Sequence, residues 1–359
     1  MADVLLQVLS NTDIDWMIAT GQQEQVTAGT VLLTPCAETD SVYLILDGAL
    51  SLMVPQSAAQ PSLPQLPIPA VRERELLRLP PGEIVGEAPL LNSRFTASIR
   101  AAENSIMLAI PRQQLIAKLQ QDIHFSAHFY KAVALILSER LRQMLSGAGQ
   151  SESISDQPLK ETAYTFGELR DSDVDWLLSV GRLRKVEPGT VLLQAGRPVD
   201  ALYIVLDGLL QAAVPQIDAN PLAICFECTK KLASTEKTVA NLSRGELVGA
   251  IYFLDFRPTA MTVRCLKETL LLSIAQPELV NKLQQDMSFA SRFYRVLALQ
   301  LSSQLQVALG SLGCTQQAYC REQGLQDVEY DDEMNIEDLE QVSQGAMRFN
   351  WVLKRLGIM

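Results

Sequence analysis

Two stretches of the chain carry apolar residues at a helical spacing. Phe125, Phe129, Val133, Leu137 and Leu141 recur every fourth residue, and Phe289, Phe293, Leu297, Leu301 and Leu305 repeat the pattern. Each predicts a helix of several turns with one apolar stripe. The stripe reads either as packing against the preceding domain or as a helix that moves when that domain binds something. Both helices are expected to end near polar surface, at Ser138-Glu139-Arg140 and Ser302-Ser303-Gln304. Ahead of each lie short apolar segments broken by Gly, Pro and Asp, which predict strands. Asp47-Gly48 and Asp207-Gly208 read as turns between them. Tyr43 and Ile45 alternate with Leu44 and Leu46, as Tyr203 and Val205 do with Ile204 and Leu206. Both faces of these strands are apolar, which suits a strand inside a roll with its outer side covered.

The pattern is duplicated. DIDWMIATG at 13–21 answers to DVDWLLSVG at 173–181, and the match continues from 26–50 to 186–210 at the same offset. KLQQDIHFSAHFY at 118–130 answers to KLQQDMSFASRFY at 282–294. The predicted organisation is a first domain at 1–145, a linker at 146–162, a second domain at 163–306 and a tail at 307–359. Gly21 and Gly181 close the short opening helices that carry Trp16 and Trp176. The Pro-rich stretch 57–81 and its counterpart 218–244 read as loops inserted between strands.

Composition narrows the function. The chain has 359 residues, 48% of them apolar, and a formal charge of -11. That balance argues against a broad nucleic-acid surface. No apolar run approaches the roughly 18 residues of a membrane span, and MADVLLQVLS lacks a basic signal region. A cytoplasmic protein is expected. Six scattered Cys do not make a disulfide framework, and the Cys225/Cys228 pair lacks the second pair of a zinc knuckle. No HExxH, GxSxG, P-loop or GxGxxG motif occurs, so no enzyme activity and no catalytic or metal site is expected. The only histidines, His124 and His128, are four apart, but the second repeat has Ser288 and Arg292 there. They read as a surface-facing pair.

A Gly-Thr-Val-Leu-Leu segment, a Tyr-Leu-Ile-Leu-Asp-Gly or Tyr-Ile-Val-Leu-Asp-Gly strand and then GEAPLLNSRFTASIRA or GAIYFLDFRPTAMTVRC follow in order in each unit. This order resembles the cyclic nucleotide-binding domain family of catabolite-activator-type regulators and kinase regulatory subunits. The resemblance implies a mainly β fold, two jelly-roll-like β-rolls with flanking helices, here followed by a helical tail. It also implies a phosphate-binding cassette: a Gly-Glu pair, a short helix, then an Arg. Backbone N–H groups at a helix start and one guanidinium would neutralise the phosphate, and the Glu would accept the ribose hydroxyl. In the first cassette Gly86 and Glu87 match. Phe95 stands at the Arg position, and a slip would bring Arg94 in, with Thr96 as a hydroxyl contact. In the second, Gly249 is kept, Ala250 replaces the Glu, Thr259 replaces the Arg, and Arg257 lies two positions early. The second pocket is therefore expected to be degenerate. Cyclic AMP or cyclic GMP is a candidate ligand for the first only, and no cofactor is expected.

The expected function is a non-catalytic regulatory, adaptor or scaffold protein acting through protein contacts, with a second-messenger sensor as the alternative. The tail lacks a basic recognition helix, so no DNA partner is expected. Residues 327–340 hold eight acids and no Lys or Arg. Beyond them Phe349, Val352, Leu353 and Leu356 form one apolar face flanked by Trp351, with Arg348, Lys354 and Arg355 nearby. Segment 341–359 reads as a helix folded on the protein's own core, as a dock for a protein partner, or as a membrane-surface helix. Either a monomer with its two long helices paired as an internal pseudo-dimer or a homodimer would suit the duplication.

Overall fold

The computed structural model describes residues 5, 7–35, 39–55, 73–91, 97–147, 166–215, 236–311 and 336–358. In the first repeat α1 (Asn11–Thr20) leads to β1 (Gln22–Val26), β2 (Val31–Leu33), β3 (Ser41–Asp47), β4 (Leu50–Pro55), β5 (Glu73–Leu79) and β6 (Ile84–Val85). A 3-10 turn (Ala88–Leu91) follows, then β7 (Ser98–Ala101), β8 (Ser105–Pro111), α2 (Arg112–Gln121) and α3 (Ile123–Gly147). The second repeat gives α4 (Asp171–Val180), β9 (Arg182–Val186), β10 (Val191–Leu193), β11 (Ala201–Asp207), β12 (Leu210–Pro215), β13 (Glu236–Leu242) and β14 (Leu247–Val248). It continues with α5 (Tyr252–Asp255), β15 (Thr262–Cys265), β16 (Thr269–Ala275), α6 (Gln276–Gln285) and α7 (Met287–Ser311), and the tail adds α8 (Ile336–Arg355).

Each repeat is a roll of two four-stranded antiparallel sheets. The first has the orders β1-β8-β3-β6 and β2-β7-β4-β5, and the second has β9-β16-β11-β14 and β10-β15-β12-β13. The chain divides into two compact units, Met1–Ile136 with Gln304–Glu333, and Leu137–Ser303 with Met334–Met359. The division falls inside α3 and α7.

Both helical stripes are core. Phe125, Phe129, Val133, Leu137 and Leu141 are buried, as are their five counterparts on α7. Trp16 meets Phe125 edge-on with centroids 5.0 Å apart, and Trp176 meets Phe289 at 5.2 Å. These contacts fix the opening helix of each repeat against the base of its long helix. The start of each long helix is capped by an acid. Asp122 accepts from Phe125 N at 3.1 Å and Lys118 Nζ at 2.9 Å, and Asp286 accepts from Phe289 N at 2.9 Å and Lys282 Nζ at 2.8 Å.

Four expectations need correction. The stretch 57–81 is not all loop, since 73–79 is β5 and pairs with β4 from Leu50↔Leu79 to Pro55↔Glu73. Its counterpart likewise yields β13. Leu77 and Leu79 supply the buried positions, a signal masked by four charged or polar neighbours. The long helices do not end at polar surface near 138–140 and 302–304: they run on to Gly147 and Ser311, and there Ser138, Arg140 and Ser302 are buried while Glu139, Ser303 and Gln304 are half-buried. The outer cover on the strands is uneven, because Leu206 is fully buried while its counterpart Leu46 is 45% exposed. His128 is half-buried against α1, and only His124 lies exposed. Among the described residues, no helix is long and apolar enough to cross a membrane. The Cys225/Cys228 pair lies outside the described residues.

The tail helix α8 packs on α4 within the second unit. Phe349, Val352 and Leu353 are buried, and the Phe349 ring lies 5.0 Å from Phe166. Arg348 Nε donates to Asp171 at 2.8 Å, and its Nη1 donates to the carbonyls of Phe166 and Gly167 at 3.2 and 3.0 Å. Arg355 pairs with Asp175. Of the three readings of 341–359, the helix folded on the protein's own core is the one observed, since the second unit covers that apolar face. Met347 and Trp351 stay exposed on the other side.

Candidate ligand-binding cassettes

In the second roll the cassette begins where β14 ends. Gly249 has φ +83°, and a Cβ there would meet Val199 Cγ1 at 2.9 Å, so this corner requires glycine. Ala250 follows and is buried. The single-turn α5 comes next and closes on Phe256, whose φ of 57° is left-handed. Such a conformation in a bulky non-glycine residue is a strained backbone.

Neither polar candidate in this cassette is available to an anion in the roll. Thr259 Oγ1 donates to Met261 O at 3.2 Å and accepts from Met261 N at 3.3 Å. Its own N–H donates to Arg197 O at 3.2 Å, and its carbonyl accepts from Gly196 N at 2.8 Å. Arg257 is 62% exposed and turns to Glu139 Oε2 at 3.0 Å. Tyr252 and Met261 pack against the buried cluster that holds Leu193, Val199, Tyr203, Leu210, Val248 and Val263. Tyr203 donates its hydroxyl to Asp200 at 3.0 Å, and burial together with that carboxylate pushes its pKa up to about 12. It is a neutral core tyrosine at any physiological pH.

The acid of α5 is spoken for as well. Arg142, from residues 137–147 of α3 that belong to the second unit, donates to Asp255 Oδ2 at 2.7 Å and to Oδ1 at 3.4 Å. Asp255 also accepts from Arg257 N at 3.0 Å. Glu139, Arg142, Asp255 and Arg257 therefore form one four-member ion cluster that ties α5 to the end of α3. Sequence reasoning missed Glu139, Arg142 and Asp255. The partners lie more than 100 positions apart, and nothing in either segment alone marks the pairing.

The first roll keeps more of the motif. Gly86 has φ +87°, and a Cβ there would meet Ser41 O at 2.9 Å. Glu87 follows at the head of the 3-10 turn; its side chain is buried and its carbonyl accepts from Leu90 N at 2.9 Å. Arg94 and Thr96, the other two candidates in this pocket, lie outside the described residues. The structure thus places Gly86 and Glu87 at one corner; in the second roll Gly249 lies against Val199 and Thr259 bonds to Gly196 and Arg197, while Arg257 turns to Glu139.

The cyclic nucleotide-binding domain family matches residues 23–122 and again 183–286, more than half of the chain. The chain belongs to the cyclic nucleotide-binding domain family. Both matched segments coincide with the rolls and their cassettes. Among characterised proteins, the chain is 22% identical over 286 residues to patatin-like phospholipase domain-containing protein 6 of Mus musculus. That match takes in 79% of this chain and 17% of the relative, so the chain spans about a sixth of its length. Among solved structures it is similar to the regulatory domain of Toxoplasma gondii PKA with cAMP (15% identity, 79% and 89% of the two chains, TM-score 0.28). It is also similar to the catabolite activator protein of Thermus thermophilus (21% identity, 49% and 70% of the two chains, TM-score 0.31).

Proposed function

We propose that the protein is a non-catalytic, cytoplasmic regulatory or adaptor protein that acts through protein contacts and uses its second roll as a structural body rather than a nucleotide receptor. The observation that carries this reading is Thr259. The residue at the phosphate anchor is neutral, and its hydroxyl is committed to its own turn. A charge-assisted contact to a phosphate contributes about 1.5–3 kcal/mol, and this cassette has no side chain placed to supply it. Protein surface takes over instead: the α5 acid and Arg257 hold residues of α3. No cofactor and no DNA partner belong to this reading. The phospholipase domain in the relatives' names gives no hydrolase reading here, since the chain has no GxSxG nucleophile motif.

A second reading rests on Glu87. Gly86 and Glu87 keep the family pair in a buried corner, and a cyclic AMP or cyclic GMP sensor would use them. Thermal unfolding with and without cyclic nucleotide separates the two readings. A ligand at 100 times its dissociation constant stabilises a fold by about 2.7 kcal/mol. At about 1 mM ligand the adaptor reading expects an unchanged Tm; a rise of several degrees favours the sensor.

A further inference from the structure

The opening helices α1 and α4 are repeats of one sequence, and residue by residue they share one burial pattern except at two positions. Val174 on α4 is buried and Leu178 half-buried, whereas their counterparts on α1, Ile14 and Ile18, are half-buried and 61% exposed. The difference falls on an i, i+4 pair, which is one face of the helix. On α4 the tail helix α8 packs, with Phe349, Val352 and Leu353 buried and Arg355 paired to Asp175. On α1 the same face carries Asp15, exposed, at the place of Asp175. Asn11 stands where Asp171 receives Arg348.

From this juxtaposition we infer that the Ile14–Ile18 face of α1 is a docking site for an amphipathic helix of the α8 type, supplied by a protein partner. The occupant presents a large apolar residue and a Val-Leu pair to Ile14 and Ile18, with a basic residue near Asp15. Apolar burial supplies the attraction and the exposed ion pair sets register, because such a pair alone adds little. A second copy's α8 is the weaker occupant. Each chain has one α8, and the α4 seat adds Asp171 and two carbonyl acceptors for Arg348. This inference deepens the adaptor reading and rests on it.

The test uses the full chain and a fluorescent peptide with the sequence of residues 336–359, titrated by anisotropy without nucleotide. Saturable binding is expected, weakened at least about tenfold by Ile18→Glu on the chain or by Arg355→Glu in the peptide, and unaffected by Leu178→Glu. Ile18 is exposed, so an unchanged Tm in Ile18→Glu confirms that its fold is intact. Failure to bind, binding indifferent to Ile18→Glu, or binding lost in Leu178→Glu would each overturn the inference. The last result would mean that the peptide displaces α8 from α4. None of these outcomes moves the nucleotide response that tests the adaptor reading itself.

Discussion

His128 Nδ1 lies 2.8 Å from Asp13 Oδ2, and in the second repeat Arg292 takes the same place with Nε 2.6 Å from Asp173 Oδ2. One buried acid on the opening helix thus has a cationic or hydrogen-bonding partner on the long helix in both units. Burial raises the Asp13 pKa, but hydrogen bonds from Ser10 and His128 outweigh it, and the carboxyl ends below its usual value. A depressed acid stabilises the fold above its unfolded pKa, and that stability is lost as pH falls through the lower folded value. The first unit should therefore lose stability below about pH 4. His128→Ala should cost about 1–3 kcal/mol at neutral pH and raise the acid-unfolding midpoint, while His128→Arg should be tolerated. Acid melts followed by circular dichroism check both.

Glu246 should behave in the opposite sense. Burial pushes its pKa up to about 7 against the hydrogen bonds from Ser243, and its Oε1 is buried without a hydrogen-bond partner. A raised acid is neutral in the fold while ionised in the unfolded chain, so stability falls as pH rises from about 4.5 to 7 and then levels off. Glu246→Gln should stabilise the second unit at pH 8 and flatten this slope. Urea melts at pH 5 and pH 8 measure it, and an unchanged slope would refute it.

The ion cluster around α5 gives a third expectation. Arg142 and Asp255 are both largely buried, so removing one charge strands the other. Asp255→Ala should destabilise the second unit by about 2–4 kcal/mol and quicken hydrogen exchange in residues 137–147. A double-mutant cycle with Arg142→Ala should show a coupling of at least about 1 kcal/mol. Additive single effects would mean that the two side chains do not work together.

The seat of α8 is a small core of its own. Phe349 is 4% exposed and lies against Phe166, so Phe349→Ala should cost about 3–5 kcal/mol in the second unit. Trp351→Ala, at 41% exposure, should stay within about 1 kcal/mol. Equal costs in chemical denaturation would show that α8 is not seated through this face.

Much of this architecture could be read along the chain, because its signals are local or periodic. The four-residue spacing from Phe125 to Leu141 marked the stripe that the fold buries, and the Asp-Gly pairs marked the turns after β3 and β11. The repeat pointed to two rolls. What escaped was carried by pairing at a distance. Strand β5 was hidden because Glu73, Arg74, Glu75 and Arg78 mask its apolar positions, and its pairing with β4 leaves no local pattern in the sequence. Arg142 reads as one more polar helix residue until Asp255, from the other repeat, is placed beside it. The tail's apolar face was visible, but its occupant was not, since Phe166 and Asp171 acquire that role only when α8 arrives.

Titration calorimetry with cyclic AMP and cyclic GMP, on the wild-type chain and on Glu87→Ala, tests the adaptor reading most directly. We expect no saturable heat up to about 1 mM ligand in either protein, a limit that corresponds to about 4 kcal/mol of binding. A micromolar dissociation constant in the wild type that disappears in Glu87→Ala would contradict it and make the first roll a working receptor.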